Sequence, residues 1–368
     1  MDYRLEKMAE VIINYSTAVQ SGERVLIRST SPAGEPLAQA LYRAALQAGG
    51  GAFAYMHLRD EDSLSMAATD DLDLLASVNP MLKLMYETCH VIVRIDASEN
   101  PQALASYPAR AQRARTQANG ALMTIQMERE GNGNLRRCTT QFPTQGYAQA
   151  AGMSLQQYED FVFNACKVHL DDPVQAWHEL EASQQRLVDY LAGKQTVQVR
   201  GENIDLAMSI EGRTFINASG TANFPDGEIF TGPVEDSVNG WVRFTYPAYF
   251  QGNEVIGARL TFENGNVIEA SADRNEEFLL YTLDTDVGSR RLGEFAIGTN
   301  SDIQRFTGSI LFDEKIGGTV HMALGQGYPQ SGSVNNSSIH WDMICDMRDG
   351  GEIVVDGELF YRDGKFLV

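Results

Sequence analysis

At 368 residues the chain exceeds what one hydrophobic core usually supports, and its 43% apolar and 21% charged content is ordinary for a soluble globular protein, so two domains are expected. A formal net charge of −20 argues against a polyanionic partner and so excludes nucleic acid and anionic membrane surfaces as expected partners. Four scattered cysteines, Cys89, Cys138, Cys166 and Cys345, form no C-x-x-C pair and read as reduced thiols in a cytoplasmic protein, and no apolar run is long enough to span a membrane.

The first stretch, residues 3–19, places Leu5, Met8, Val11, Ile12, Tyr15 and Val19 at helical spacing. Its mixed charges make it a first helix rather than a signal peptide. VLIR (25–28) reads as a buried strand, and after a Pro-containing loop an Ala/Leu-rich helix ends at Gly49 and Gly50. GAFAYMHL is a second expected strand, a helical segment covers about 71–84, HVIVRIDA is a third strand, 100–119 a helix, and ALMTIQM (121–127) a fourth strand. Strands alternating with helices of this length predict βαβ units and a parallel sheet, with ligands expected at strand C-terminal ends. From Ser154 to Leu191 the pattern is helical, interrupted at Asp171–Pro173, where an aspartate caps a new helix. Beyond Lys194 the texture changes to short alternating segments with Asn-Gly and Asp-Gly turns, one helical stretch near 273–283, and hairpins at the tail. The expected division is an α/β domain with a helical extension over 1–193 and a β-rich metal-binding domain over 194–368.

The second half carries the chemistry. Glu294, His321, His340 and Asp342 are residue types that bind divalent metals, and Glu228 and Glu314 lie in the same Gly-rich, strand-and-turn context. His340 and Asp342 form an H-x-D pair, and residues i and i+2 of a strand point to one face, so an imidazole and a carboxylate can share one ion. A hydrolytic metal pair needs carboxylates to bridge and neutralise, imidazoles to fix geometry, and open positions for water and substrate. On spacing alone, histidines in apolar strands also fit hydrogen-bonded core positions.

The wording of FPTQGYAQAAGMS, NFPDGEIFTGPVEDSVNG, LGEFAIGTN, FDEKIGGTVHMALGQGYP and IHWDMICD closely resembles the M29 family of metallo-aminopeptidases, the aminopeptidase T and aminopeptidase S group, over nearly the whole chain. The resemblance implies a cytoplasmic enzyme, often a homodimer, that removes single residues from peptides with a free N-terminus by means of two divalent ions, zinc, cobalt or manganese. By motif it implies Glu228, Glu294, Glu314, His321, His340 and Asp342 as metal-site residues, Glu294 touching both ions, and Tyr328 of GQGYP as the catalytic tyrosine. Either Glu294 or Glu314 is the expected general base, and Tyr328 is expected to face the developing oxyanion. Two departures stand out: KIGGTV makes the spacing between Glu314 and His321 longer than in some members, and the chain is somewhat short for the family.

Other readings stay open on the residues. Two histidines and a carboxylate are also the facial-triad set of an Fe(II) ring-cleaving dioxygenase, a group that resembles the same fold. A non-catalytic metal- or peptide-binding protein is the third reading. Glu235 and Asp236 read either as supports of the site or as turn residues. His57, His90, His169 and His178 read as structural or solvent-facing, and Cys345 as a packed thiol. Arg28 and the following TSPAGEP loop stand where α/β domains bind ligands, but no G-x-G-x-x-G or P-loop accompanies them, which disfavours a nucleotide.

Overall fold

The computed structural model describes residues 2–368. Two compact units make up the chain: one runs to Ala176 and adds Gly220–Pro225, the other comprises Trp177–Ser219 and Asp226–Val368.

In the first unit four strands, β1 (Arg24–Ser29), β2 (Gly51–Met56), β3 (Val91–Asp96) and β4 (Arg136–Gln141), form a parallel sheet in the order β2-β1-β3-β4, extended by a two-residue strand at Asn223–Phe224. The helices are α1 (Tyr3–Val11), continued by a π-helical turn at Ile12–Ser16, then α2 (Glu35–Gln47), α3 (Glu61–Ala68), α4 (Leu72–Leu75), α5 (Pro80–Thr88), α6 (Ala109–Gly131), α7 (Gln145–Ala150) and α8 (Leu155–Ala165). Asn79 caps α5 by accepting from Met81 and Leu82 N–H, and Pro80 occupies the first helical position, so the 71–84 segment resolves into two helices.

One sequence expectation is corrected. ALMTIQM is the second half of α6, and the fourth strand is Arg136–Gln141. Ala111, Ala114, Ala118 and Leu122 are buried at three- and four-residue spacing, so the apolar run continues one helical stripe that begins well before it. The true strand is disguised by polarity: Arg136 donates to Thr17 O, and Arg137 pairs with Glu130 at 3.2 Å.

The second unit begins within α9 (Pro173–Leu191) and takes in the helix from Trp177 onward; the first turn of α9 is capped by Asp172 accepting from Gln175 N–H. Its strands are β5 (Thr196–Gly201), β6 (Ile204–Ser209) and β7 (Ile216–Ala218); counting Asn223–Phe224 as β8, there follow β9 (Glu228–Thr231), β10 (Asn239–Arg243), β11 (Ala248–Phe250), β12 (Asn253–Val255), β13 (Arg259–Glu263) and β14 (Asn266–Ser271). After α10 (Glu276–Leu283) come β15 (Leu292–Gly298), α11 (Ile310–Asp313), β16 (Thr319–Gly325), β17 (His340–Asp346), β18 (Glu352–Val355), β19 (Glu358–Arg362) and β20 (Lys365–Phe366). They form an eight-stranded sheet, β14-β13-β10-β6-β5-β18-β19-β20, a five-stranded antiparallel sheet, β17-β16-β15-β9-β7, and a two-stranded hairpin of β11 and β12.

Alternation sorts the five-stranded sheet into two faces. Ile229, Phe295, Ile297, Val320, Met322, Leu324, Trp341 and Met343 enter the hydrophobic core of this unit. The intervening positions form the opposite face, which holds the metal-ligand types. Phe295 is wholly buried in that core, so Phe295→Ala is expected to destabilise the protein by about 3–5 kcal/mol. Denaturant unfolding of the two proteins measures it; a loss under about 1 kcal/mol would contradict the assignment of faces.

Candidate metal centre

Four strands deliver the polar residues to one face. In the antiparallel register Glu228 lies opposite Gly298, Ala296 opposite His321, Ala323 opposite both Glu294 and Asp342, and Gly325 opposite His340. Opposed residues project to the same side of the sheet. The cross-strand neighbours in this register are glycine or alanine for Glu228, Glu294, His340 and Asp342, while His321 lies between Ala296 and Ile344, so the carboxylates and imidazoles converge over a floor of mostly small side chains. A bulge between Leu292 and Glu294 sets the phase of β15. Gly293 occupies it because a Cβ there would collide with the carbonyls of Gly325 and Gln326.

Glu314 arrives differently, at the C-terminal end of α11. It completes the last of three groups, in each of which the ligand atoms lie within 4.8 Å of one another: Glu228, Glu294 and His321; Glu294, His340 and Asp342; and Glu314, His321 and Asp342. Glu294 presents Oε1 to His321 Nε2 at 3.4 Å and Oε2 to His340 Nε2 at 3.5 Å. His321 Nε2 is 3.1 Å from Glu228 Oε2, and His340 Nε2 is 3.4 Å from Asp342 Oδ1. His340 Nδ1 donates to the Gln326 carbonyl at 2.8 Å, which turns Nε2 toward Glu294 and Asp342, the orientation a ligand needs.

The arrangement is short of positive charge. Although burial opposes it, Glu228 and Glu294 drive the His321 pKa well above the usual imidazole range. His340 is pushed up to about 10 against its own burial, by Asp342 and Glu294. Burial raises the Glu314 carboxyl to about 8 despite the nearby Lys315, with Glu228 and Asp342 adding to the rise. At the same time Glu228 Oε2, both ring nitrogens of His321 and Asp342 Oδ1 are buried without a hydrogen-bond partner. Orphaned lone pairs on mixed carboxylate and imidazole donors, arranged as overlapping triads, are what a divalent cation satisfies. The residues fit a metal.

Lys315 was not singled out by the sequence. Its side chain is completely buried, with Nζ 2.7 Å from Glu228 Oε1, in contact with Glu314 Oε1, and 3.6 Å from Asp226 Oδ1. Burial opposes its charge, but the three carboxylates hold it protonated. Gln184 of α9 was also missed; its Nε2 donates to the Glu228 carbonyl at 2.9 Å and to Asn217 Oδ1 at 2.7 Å. Adjacency to Glu314 was the one available clue to Lys315, and nothing local pointed to Gln184.

Tyr328 follows β16 and packs its ring 5.1 Å from Phe230 and 5.3 Å, edge-on, from His340. It is 37% exposed. Burial and then the carboxylates of Glu294 and Asp342 raise its phenol pKa far above normal, so the proton stays on. Glu235 lies apart from the three groups: it pairs with Arg213 and accepts from Val334 N–H at 2.7 Å, tying down the loop after Tyr328, while Asp236 is exposed. His90 Nδ1 accepts from Arg24 N–H, and Cys345 is a buried thiol in the core.

A model of the thermophilic metalloprotease (M29) family matches residues 1–366. The chain is 29% identical to Aminopeptidase 2 of Geobacillus stearothermophilus and 27% identical to Aminopeptidase T of Thermus thermophilus, in each case over 98% of this chain and 95% of the relative. Among solved structures, AmpT from Thermus thermophilus superposes with a TM-score of 0.86 at 24% identity, covering 100% of this chain and 99% of that one. A 2,5-dihydroxypyridine dioxygenase from Pseudomonas putida KT2440 superposes with a TM-score of 0.61 at 12% identity, covering 100% and 98%, a likeness of fold alone.

Two outcomes are expected. Adding zinc, cobalt or manganese to chelator-treated protein at about a hundredfold excess over Kd stabilises it by about 2.7 kcal/mol, read as a rise in Tm; an unchanged Tm with all three would rule out a metal centre in the folded protein. Lys315→Met leaves Glu228 buried beside no lysine and costs about 3–5 kcal/mol in denaturant unfolding without metal.

Proposed function

Because the chain belongs to the M29 family of thermophilic metalloproteases, and is a hydrolase of the metallo-aminopeptidase kind, we propose that this site removes N-terminal residues from peptides with two divalent ions held side by side. The observation that carries the reading is Glu294: it belongs to two of the three ligand groups and turns one oxygen to His321 and the other to His340. Glu228, Glu294 and His321 would hold one ion; Glu294, His340 and Asp342 would hold the second, with Glu314 alongside.

Bound at these residues, divalent ions supply Lewis acidity, polarising the scissile carbonyl and making a water acidic near neutral pH. With both Glu294 oxygens committed, Glu314 is the carboxylate left to take the proton of the attacking water and return it to the leaving amine. Lys315 steadies Glu228 and Glu314 by its positive charge, so that these carboxylates stay in place as the proton moves. Tyr328 keeps its phenolic proton and donates a hydrogen bond to the oxyanion that develops on the carbonyl.

Beyond Glu294, His340 and Asp342 the site offers Glu228, Glu314 and His321, more donors than the two-histidine, one-carboxylate set of a mononuclear iron oxygenase uses, which favours hydrolysis over ring cleavage. In the same proposal the ions are zinc, cobalt or manganese, the substrates are peptides with a free amine, and the enzyme works as a homodimer in the cytoplasm. The four free, buried cysteines accord with a reducing compartment.

The test is a panel of free and N-acetylated aminoacyl anilides with enzyme reloaded in turn with each metal. Cleavage of the free-amine substrates alone is expected. Glu294→Gln should abolish turnover, and Tyr328→Phe should lower kcat by about 10²–10³-fold with metal retained. Near-normal turnover in Glu294→Gln, or equal cleavage of acetylated substrates, would overturn the reading.

A further inference from the structure

In the first unit the chain leaves β1 and crosses through α2 to β2 on one side, whereas β3 lies on the other side of β1. Such a reversal in a parallel sheet opens a crevice at the carboxyl ends of the two strands. A cavity of about 310 Å³ lies there. Arg28 and Ser31 reach it from β1 and its exit, Arg94 and Ser98 from β3 and its exit, and Leu122 and Met123 of α6 give it an apolar wall.

Arg28 sets this cavity apart. Its side chain is 9% exposed, yet its partners are both neutral: Nε donates to His57 Nε2 at 3.0 Å, and Nη1 to the Tyr86 hydroxyl at 2.9 Å. Among the described residues Nη2 has no hydrogen-bond partner. The other arginines lining the cavity are neutralised, Arg94 by Asp96 at 2.8 Å and Arg115 by Asp62 at 2.6 Å. Because His57 Nε2 accepts from Arg28, its proton sits on Nδ1 and is donated to Glu61 at 3.0 Å. Burial and the charge of Arg28 together hold His57 below its ordinary pKa, so the imidazole stays neutral and acts as a fixed strut for the guanidinium. A buried guanidinium without a facing carboxylate is costly unless a ligand supplies the anion.

We propose that this crevice is a second binding site, for a small organic monocarboxylate whose carboxylate meets Arg28 and whose body lies on Leu122 and Met123. A single negative charge is specified because Asp60, Glu61 and Glu99 line the same cavity and would repel a dianionic phosphate. The site draws on no residue of the metal centre and does not depend on the proposed hydrolysis.

The test is isothermal titration of the intact chain with N-acetylleucine and with its neutral amide. N-acetylleucine is expected to bind saturably; the amide, and the Arg28→Met variant, should each bind at least about tenfold more weakly. Ser63→Trp, which fills the cavity from α3, should abolish binding, and it decides the question if Arg28→Met fails to fold by circular dichroism. Glu294→Gln should leave binding in place. Binding that survives Ser63→Trp or is lost in Glu294→Gln, tighter binding of inorganic phosphate than of N-acetylleucine, or no saturable binding of the acid would each overturn the proposal.

Discussion

The structure of the second unit is governed by electrostatic confinement: Glu228, Glu294, Glu314 and Asp342 are brought together on one sheet face largely out of water, with two imidazoles and one ammonium among them. Carboxylates in such surroundings must find cations, protons or hydrogen-bond donors, and each of these is visible in part. Lys315 satisfies one flank. The upward shift of both histidines marks the flank where a divalent ion belongs. The floor of Ala296, Ala323, Gly298 and Gly325 is the steric counterpart of the same constraint, since any larger side chain there would fill the space the charges require.

The opposite face of the same strands makes this confinement affordable. Phe295, Met322 and Trp341 alternate with Glu294, His321 and the H-x-D pair, so each residue that locks a strand into the core also fixes the direction of a neighbouring ligand. Backbone contacts then trim the geometry. The Gln326 carbonyl turns His340, and Gln184 grips the Glu228 carbonyl. Precision at the site therefore comes from the sheet and from main-chain atoms more than from dedicated side-chain supports.

Much of this was legible in the sequence, and the failures have physical causes. The H-x-D pair declares itself because strand alternation is a period-two signal that survives without any knowledge of the fold, whereas Glu294 in LGEF and His321 in VHMALG stand out by residue type and acquire a role only through motif resemblance. Glu314 drew notice by residue type and its Gly-rich context, but no periodicity points it at the sheet, because it approaches from the end of a helix rather than from a strand. Lys315 was hidden because a lysine in a polar, Gly-rich run ordinarily reaches solvent; only the three-dimensional clustering of acids turns it inward. ALMTIQM misled because a short apolar run fits a strand and a helical stripe equally well, and the polar RRCTTQ lacked the apolar texture of a buried strand. The position of Arg28 after the first strand was noticed, but its isolation from carboxylates is a property of packing that no local pattern encodes.

The order in which the metal-site residues appear along the chain has a consequence for biosynthesis. Glu228, Glu294 and His321 emerge from the ribosome before His340 and Asp342, which lie on β17, the outer strand of the five-stranded sheet. A nascent polypeptide truncated before that strand possesses neither the second imidazole nor the H-x-D carboxylate, and its sheet is incomplete. The ligand groups therefore close in a fixed order: Glu228, Glu294 and His321 can assemble once β16 has paired with β15, and the two groups that need Asp342 only after β17 has added to β16.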